Sequence, residues 1–164
     1  MKNTPKAAKK YYFAYGSNTN LKQMAHRCPR AATVGAVALP DYTLIFNGVA
    51  SIKKRNGSAV DGLLWEITPN CERSLDIYEG YPRLYTKRTV TVCANDGTKY
   101  KAMVYIMTPE YDSPRLPDDR YYAGIYEGFL QNGIPTHTLK SALDETRAEV
   151  EKAAENRKYI KRGI

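Results

Sequence analysis

Two strand-like segments separated by an Asp-Gly pair occupy residues 85–107. Residues 85–94 alternate β-branched with polar side chains, Asp96-Gly97 follows, and residues 100–107 form a second run rich in apolar residues. An Asp-Gly pair between two such runs is typical of a tight β-hairpin, because the glycine accepts the positive φ that the turn requires. The chain is therefore expected to contain an antiparallel sheet.

Further strand and helix signals alternate along the chain. Asn56-Gly57 predicts a second hairpin turn, and the other short strands are expected at residues 11–15, 34–39, 43–46, 49–53 and 59–67. Helices are expected where apolar residues recur at helical spacing, which occurs at residues 21–28, 68–79, 119–132 and 138–158. About six short strands against three or four helices, mostly linked by hairpins, predict an α+β fold with a curved, mainly antiparallel sheet.

The length of 164 residues suits a single domain, and no Gly/Ser linker or internal repeat marks a boundary. The net charge of +8 is concentrated at the two ends of the chain. The basic residues there, which have no acidic neighbours, are Lys2, Lys6, Lys9, Lys10, Arg157, Lys158, Lys161 and Arg162. We therefore predict a flexible basic end at residues 1–10, one neutral domain at residues 11–156, and a frayed basic end at residues 157–164.

Cysteine usage and hydropathy indicate where such a chain resides. Cys28, Cys71 and Cys93 are odd in number and lack C-x-x-C spacing, so neither a disulfide framework nor a zinc site is expected. No apolar run reaches the roughly 18 residues of a membrane-spanning helix, and the basic start lacks the apolar stretch of a signal peptide. We therefore expect a reduced, cytoplasmic protein.

The segment Tyr15-Gly16-Ser17-Asn18 lies where a strand is expected to meet a helix. Successive backbone N–H groups at such a junction point at one spot, and they favour a carboxylate or an oxyanion there. The alternative is a structural one, in which Gly16 makes a tight turn and Ser17 or Asn18 caps the helix. The tetrapeptide alone is compatible with both.

Glu79 is the second candidate, at the end of a helix that Gly80 is expected to close. The helix dipole and burial beside Tyr78 and Tyr81 would raise its pKa, and a carboxyl group of that kind exchanges protons near neutral pH. A solvated glutamate at a helix end is the alternative. Asp76 is an equally plausible carboxylate by spacing.

Tyrosine is unusually abundant, with 14 residues against three Phe and one Trp. Most are expected to be structural, because tyrosine is commonly half-buried with a solvated hydroxyl. Tyr85 and Tyr121 are the two expected beside a polar pocket. Motifs for phosphate binding, dinucleotide binding, zinc proteolysis and a hydrolase nucleophile are absent from the sequence.

In their order and spacing, several segments resemble the gamma-glutamylcyclotransferase family, including its AIG2-like members. The matching segments are residues 12–18 (YFAYGSN), 28–32 (CPRAA) and 60–65 (VDGLLW), then Leu75-Asp76, Glu79-Gly80, Tyr85, Tyr121 and residues 132–135 (NGIP). The likeness covers about residues 11–143 and departs at Thr19, where the family commonly has an apolar residue. It implies a small α+β fold whose mixed sheet curls into a partial β-barrel surrounded by helices.

The resemblance also implies an enzyme, a cyclising acyltransferase that releases 5-oxoproline from a γ-glutamyl amide. It implies that Glu79 is the acid/base and that the substrate-binding residues are Tyr15, Gly16, Ser17, Asn18, Tyr85 and Tyr121. Because the substrate's own α-amine attacks its γ-carbonyl, no enzyme nucleophile is needed, and no cofactor or metal is expected. The expected partner is a small γ-glutamyl molecule, with no nucleic acid or membrane, and the expected state is a monomer or weak dimer.

Two alternatives remain open at this stage. A non-catalytic member of the same fold would bind a γ-glutamyl or amino-acid ligand, although the intact Glu79 and residues 15–18 argue against it. A nucleic-acid-binding module would use the basic ends and exposed aromatics, but an RNP-like motif is absent. The sequence does not specify which γ-glutamyl compound reacts, nor whether residues 15–18 hold its α-carboxylate or the oxyanion.

Overall fold

A computed structural model describes residues 10–163. The flexible end predicted at residues 1–10 lies outside this part except for Lys10, which begins the first strand. Within residues 10–163 the strands are β1 (Lys10–Ala14), β2 (Ala32–Phe46), β3 (Ala50–Ile67), β4 (Tyr85–Ala94) and β5 (Lys99–Met107). The α-helices of this part are α1 (Leu21–Arg27), α2 (Pro69–Tyr78), α3 (Asp119–Gln131) and α4 (His137–Arg162), and short 3₁₀ turns span Ser17–Thr19 and Pro109–Tyr111.

The strands form a closed barrel in the order β1-β3-β2-β4-β5. Neighbouring strands are antiparallel except where the barrel closes, because β1 and β5 run parallel and meet at Tyr12 and Met103. Large apolar side chains such as Phe13, Leu64 and Val104 are fully buried in the core. The predicted α+β fold with a mixed, mainly antiparallel barrel sheet is confirmed.

The hairpin predicted from the Asp-Gly pair is present as β4 and β5. Their register runs from Tyr85 opposite Met107 to Cys93 opposite Lys99. Gly97 has φ +88°, and Thr98 N donates to Asp96 Oδ1 at 2.9 Å, so the turn forms as its residues require.

The second predicted hairpin, at Asn56-Gly57, is wrong. Residues 50–67 form one long strand, β3, which pairs with β2 along most of its length and with β1 near its end. The chain reverses instead near Gly48, which has φ +81°. The register between β2 and β3 shifts where Asp41, with φ 63°, interrupts β2. Gly57 N donates to Asp41 Oδ1 at 3.1 Å, so the Asn-Gly pair serves an irregularity inside a strand pair rather than its end.

The last helix continues further than predicted. Helix α4 is helical through Arg162, and its residues 157–162 are exposed. The frayed basic end at residues 157–164 stays a prediction. The first half of α4 packs on the barrel through Leu139, Ala142 and Thr146. In the described part of the chain, every helix is too short or too polar to traverse a lipid bilayer.

The expectation of reduced cysteines is wrong for one pair, since Cys28 and Cys71 form a disulfide and Cys93 stays free. Cys28 follows the last residue of α1 and Cys71 lies in the first turn of α2. The fold packs these two helix ends side by side, which brings the two Cα atoms to 5.0 Å. A separation of 43 residues gives no local sequence signal of such a pairing.

We expect reduction of this disulfide to lower the free energy of unfolding by about 2–4 kcal/mol, because the closed loop no longer restricts the unfolded chain. Urea unfolding with and without a phosphine reductant measures the effect. Cys93→Ser is the matched control and should remain sensitive to the reductant, whereas Cys28→Ser should not respond. Equal unfolding curves for the oxidised and reduced wild-type protein would contradict the expectation.

Candidate active site

A cavity of about 200 Å³ lies where β1 ends and the chain enters the first 3₁₀ turn. All seven residues singled out from the sequence line it, namely Tyr15, Gly16, Ser17, Asn18, Glu79, Tyr85 and Tyr121. The remaining lining residues are Tyr12, Val49, Ala50, Tyr78, Leu84 and Tyr105. The structure therefore brings these seven residues into one place, whereas Asp76, the alternative carboxylate, does not line the cavity.

The 3₁₀ turn holds its shape through bonds to the carbonyl of Gly16. Thr19 donates to Gly16 O twice, from its backbone N at 3.0 Å and from Oγ1 at 2.8 Å. Thr19, where the sequence departs from the family pattern, is thus a buried support of the turn. The amide groups of Ser17 and Asn18 precede the first bond of the turn and have no partner inside it.

The capping alternative for Ser17 or Asn18 is wrong, because Asn20 caps α1. Asn20 Oδ1 accepts from the backbone N of Lys22 at 3.1 Å and of Gln23 at 3.2 Å. The cap satisfies the first amides of the helix. Neither Ser17 nor Asn18 therefore serves as the cap of α1, and both line the cavity.

Asn18 is buried and its polar atoms connect the turn to the neighbouring elements. Its Nδ2 donates to the Tyr12 hydroxyl at 3.0 Å and to Glu79 Oε1 at 3.5 Å. Its backbone carbonyl accepts from Trp65 Nε1 at 2.9 Å. The Asn18 amide thus faces the carboxylate across the cavity wall.

Glu79 immediately follows α2 and is half-buried. Gly80, with φ +63°, ends the helix as predicted and turns the chain so that the Glu79 side chain lines the cavity. Burial raises the pKa of Glu79 to about 7, and the positive charge of Arg27 opposes that increase. Glu79 therefore titrates near neutral pH.

The structure distinguishes Glu79 from Asp76, which lies outside the cavity. Asp76 Oδ1 accepts from the Tyr105 hydroxyl at 2.6 Å, and Oδ2 accepts from Lys87 Nζ at 3.1 Å. The expected burial of Glu79 beside Tyr81 is wrong, since Tyr81 is 40% exposed and stacks under Lys87 Nζ at 4.3 Å. Asp76 is engaged in supporting contacts, and Glu79 is the carboxylate that faces the cavity.

The tyrosines of the cavity fall into two groups by the use of their hydroxyl protons. Tyr15 donates to Tyr105 O at 2.5 Å and Tyr85 donates to Ala50 O at 2.7 Å, so both protons are bound to the backbone. Tyr121 instead accepts from Ala50 N at 2.9 Å, and its own O–H remains available to a ligand. The Tyr12 hydroxyl, which accepts from Asn18, also keeps its proton.

Comparison with known proteins identifies the family. The profile described as "Gamma-glutamyl cyclotransferase, AIG2-like" matches residues 12–126. The chain belongs to this family. The gamma-glutamylcyclotransferase of Homo sapiens is 31% identical in an alignment 137 residues long, which covers 76% of this chain and 72% of the human protein. That of Bos taurus is 30% identical in an alignment 142 residues long, which covers 79% of this chain and 74% of the bovine protein.

Solved structures of gamma-glutamylcyclotransferases share the fold. One described as "Gamma-glutamyl cyclotransferase" superimposes with a TM-score of 0.73 at 28% identity, covering 86% of this chain and 88% of its own. The family, the fold and the enzyme class predicted from the sequence are confirmed: this chain is an enzyme of the gamma-glutamylcyclotransferase type.

Tyr78, which the sequence places beside Glu79, lines the cavity of this gamma-glutamylcyclotransferase site. Sequence reasoning missed Tyr12 and Tyr105, which also line the cavity, and Arg27, which lies behind it. Tyr12 could have been found from the sequence, because it begins the segment that contains Tyr15–Asn18 and lies on the strand that leads to this motif. Arg27 could not have been found in this way, because it lies nine positions after its hydrogen-bond partner Asn18 and beyond the cap of α1.

Proposed function

We propose that this enzyme releases 5-oxoproline from a γ-glutamyl amide, with Glu79 as its general acid and base and residues 11–156 as the catalytic domain. The observation that carries the proposal is the Glu79 carboxyl group, half-buried in a cavity shared with residues 15–18, with its pKa raised to about 7. The names of the related enzymes support the reaction type.

The substrate supplies the nucleophile in this reaction. Its α-amine attacks its own γ-carbonyl carbon, a new C–N bond closes the five-membered ring, and the original γ-amide C–N bond breaks. Attack within one molecule has an effective molarity of about 10⁵–10⁸ M, so correct folding of the glutamyl group is most of the task. Glu79 takes a proton from the ammonium group and gives it to the departing nitrogen. The ring nitrogen loses its second proton as the lactam forms, and the released amine takes that proton up as its ammonium, so the Glu79 carboxylate is ready for another cycle.

The donors around the cavity stabilise the anions of the substrate. In this proposal the amide groups of Ser17 and Asn18 and the free hydroxyl proton of Tyr121, three residues that line the cavity, bind the α-carboxylate or the developing oxyanion. Losing one such donor typically costs about 2.7–4 kcal/mol of transition-state stabilisation. Gly16 keeps this space open, because a Cβ there would lie 3.3 Å from Ala50 Cβ and 3.6 Å from the Tyr121 hydroxyl.

Tyr15 and Tyr85 shape the cavity in this proposal. Their hydroxyl groups donate to the backbone carbonyls of Tyr105 and Ala50. Their rings are therefore fixed as walls for the aliphatic part of the glutamyl group. Burial raises the pKa of both tyrosines, so they remain neutral across the working pH range. Their contribution is therefore shape and exclusion of water rather than proton transfer.

A panel of γ-glutamyl compounds scored for 5-oxoproline tests the function. It includes γ-glutamyl amino acids, γ-glutamyl amines and glutathione. The matched control is an N-acetylated γ-glutamyl amide, which has the same scissile bond but no free amine and should not react. Release of the leaving amine from the acetylated compound would contradict intramolecular attack. Binding of the panel without turnover would favour the non-catalytic alternative.

We expect kcat/KM to increase about tenfold per pH unit below pH 7 and to level off above it. The active form of Glu79 is the carboxylate, and burial raises the pKa of that group to about 7, so the reactive fraction grows as pH rises through this value. Initial rates of 5-oxoproline release between pH 5 and 9, over about four pH units, provide the profile. An acid limb centred near the pKa of a solvated glutamate would show that another group controls the rate.

A further inference from the structure

Arg27, the last residue of α1, is a half-buried cation that the proposed reaction does not use directly. Its guanidinium Cζ lies 3.6 Å from the centroid of the Tyr78 ring. Its Nη1 donates to Asn18 Oδ1 at 2.5 Å, and its Nη2 donates to Gln23 Oε1 at 3.1 Å. Both acceptors are neutral amides, so neither bond neutralises the positive charge.

Arg27 also lacks a counter-ion within residues 10–163, since no carboxylate there lies within ion-pair distance of it. Lys87, a cation of similar exposure, pairs with both Glu72 and Asp76. A cation partly removed from water normally acquires a partner, because desolvation without one is unfavourable. The unpaired charge of Arg27 instead lies against Tyr78 and Asn18, two residues that line the cavity.

The hydrogen bond from Arg27 fixes the orientation of the Asn18 amide. An arginine donates only, so the Asn18 atom that it contacts is the oxygen, and Nδ2 then faces Tyr12 and Glu79. With the amide reversed, the oxygen of Asn18 would face the carboxylate and repel its ionised form. Arg27 thus determines which end of Asn18 meets Glu79.

The other titratable groups that line the cavity with Glu79 are tyrosines from β1 and the residue after it, α2, β4, β5 and α3, namely Tyr12, Tyr15, Tyr78, Tyr85, Tyr105 and Tyr121. Burial raises the pKa of Tyr12, Tyr15, Tyr85, Tyr105 and Tyr121, so these five are neutral at pH 7. Within the part of the chain that the structure describes, Arg27 is the charged side chain that acts on Glu79.

We propose that Arg27 is a positioning residue of the active site, which orients the Asn18 amide toward Glu79 and places an unpaired positive charge behind the cavity. This role rests on the proposed function of Glu79 as acid and base. Two features carry it independently, the hydrogen bond to Asn18 and the stacking on Tyr78, the residue that precedes Glu79.

Three variants separate charge from general structure. Arg27→Met removes the charge and the donor but keeps an extended side chain, whereas Arg27→Lys keeps the charge without the planar fork. Arg30→Met is the matched control, because Arg30 is exposed and only three residues further along the chain. Thermal unfolding of each variant verifies the fold, and Arg27→Gln replaces Arg27→Met if the latter does not fold.

The first readout is an NMR titration of the Glu79 carboxyl carbon, which requires no turnover. Removal of the charge in Arg27→Met should raise this pKa by about one pH unit, whereas Arg27→Lys and Arg30→Met should leave it within a few tenths of wild type. The second readout is kcat for 5-oxoproline release, which should fall about tenfold in Arg27→Lys because Asn18 is less firmly oriented.

An unchanged Glu79 pKa in Arg27→Met, or an equal change in Arg30→Met, would overturn the proposal. So would wild-type kcat in Arg27→Lys. A wild-type protein that releases no 5-oxoproline from any γ-glutamyl compound would instead refute the proposed function, and the titration would still decide whether Arg27 acts on Glu79.

Discussion

Glu79→Gln should reduce kcat for 5-oxoproline release by about 10²–10⁴-fold, which is the usual contribution of a positioned acid/base. Glutamine fills the same space and its oxygen can accept from Asn18 Nδ2 as Glu79 Oε1 does, but an amide cannot carry a proton between two nitrogens. KM should change little, because the other donors of the cavity are untouched. Initial-rate kinetics with the best γ-glutamyl substrate measures both constants.

The same substitution should make the protein more stable above pH 7. Burial raises the pKa of Glu79 in the folded protein, so its ionisation at higher pH favours the unfolded chain, by about 1–3 kcal/mol for an increase of this size. This destabilising contribution of Glu79 is absent at pH values below the pKa that Glu79 has in the unfolded chain. Urea unfolding at about pH 8.5 and pH 4 should show that Glu79→Gln is stabilising only at the higher pH.

Asp76→Asn is the matched control, since it makes the same chemical change in the same helix. Asp76 binds the Tyr105 hydroxyl and Lys87 outside the cavity, so the variant should keep kcat within about threefold of wild type while losing some stability. Near wild-type turnover in Glu79→Gln, or an equal loss in Asp76→Asn, would refute the assignment of the acid/base.

Local signals made much of this fold predictable. Helix α2 begins at Pro69, where Thr68 Oγ1 accepts from Cys71 N at 3.2 Å, and it ends before Gly80, as these residue types predict. The Asn56-Gly57 pair is an equally strong turn signal, but the hairpin that it predicts is absent. The structure at that point is determined by the long pairing of β2 with β3, which a short stretch of sequence does not contain.

The part of the site whose residues belong to short contiguous motifs could be predicted. Residues 15–18 and Glu79 are recognisable from such motifs and their order in the sequence, and in the structure they line the same cavity. Arg27 and the disulfide between Cys28 and Cys71 could not be found in this way, because both depend on α1 and α2 packing side by side. Contacts between distant helices leave no periodicity in the chain.

Helix α3 supports the active-site turn through a very close approach at Gly128. A Cβ added there would lie 2.7 Å from the backbone N of Asn20 and would also collide with Thr19. Asn132 strengthens the same contact, because its Nδ2 donates to Thr19 O at 2.9 Å and to Gly128 O at 2.8 Å. The absence of a side chain at Gly128 is therefore a condition for the observed position of the turn.

Gly128→Ala should lower the free energy of unfolding by about 1–3 kcal/mol and kcat/KM by at least about tenfold, because the turn that carries Ser17 and Asn18 must move. Gly124→Ala is the matched control one turn earlier. A Cβ at Gly124 meets the end of the flexible Gln23 side chain at 2.8 Å, which can move away, and alanine favours the helix by up to about 1 kcal/mol. Urea unfolding and 5-oxoproline kinetics compare the pair. Equal effects of the two substitutions would show that Gly128 does not position the turn.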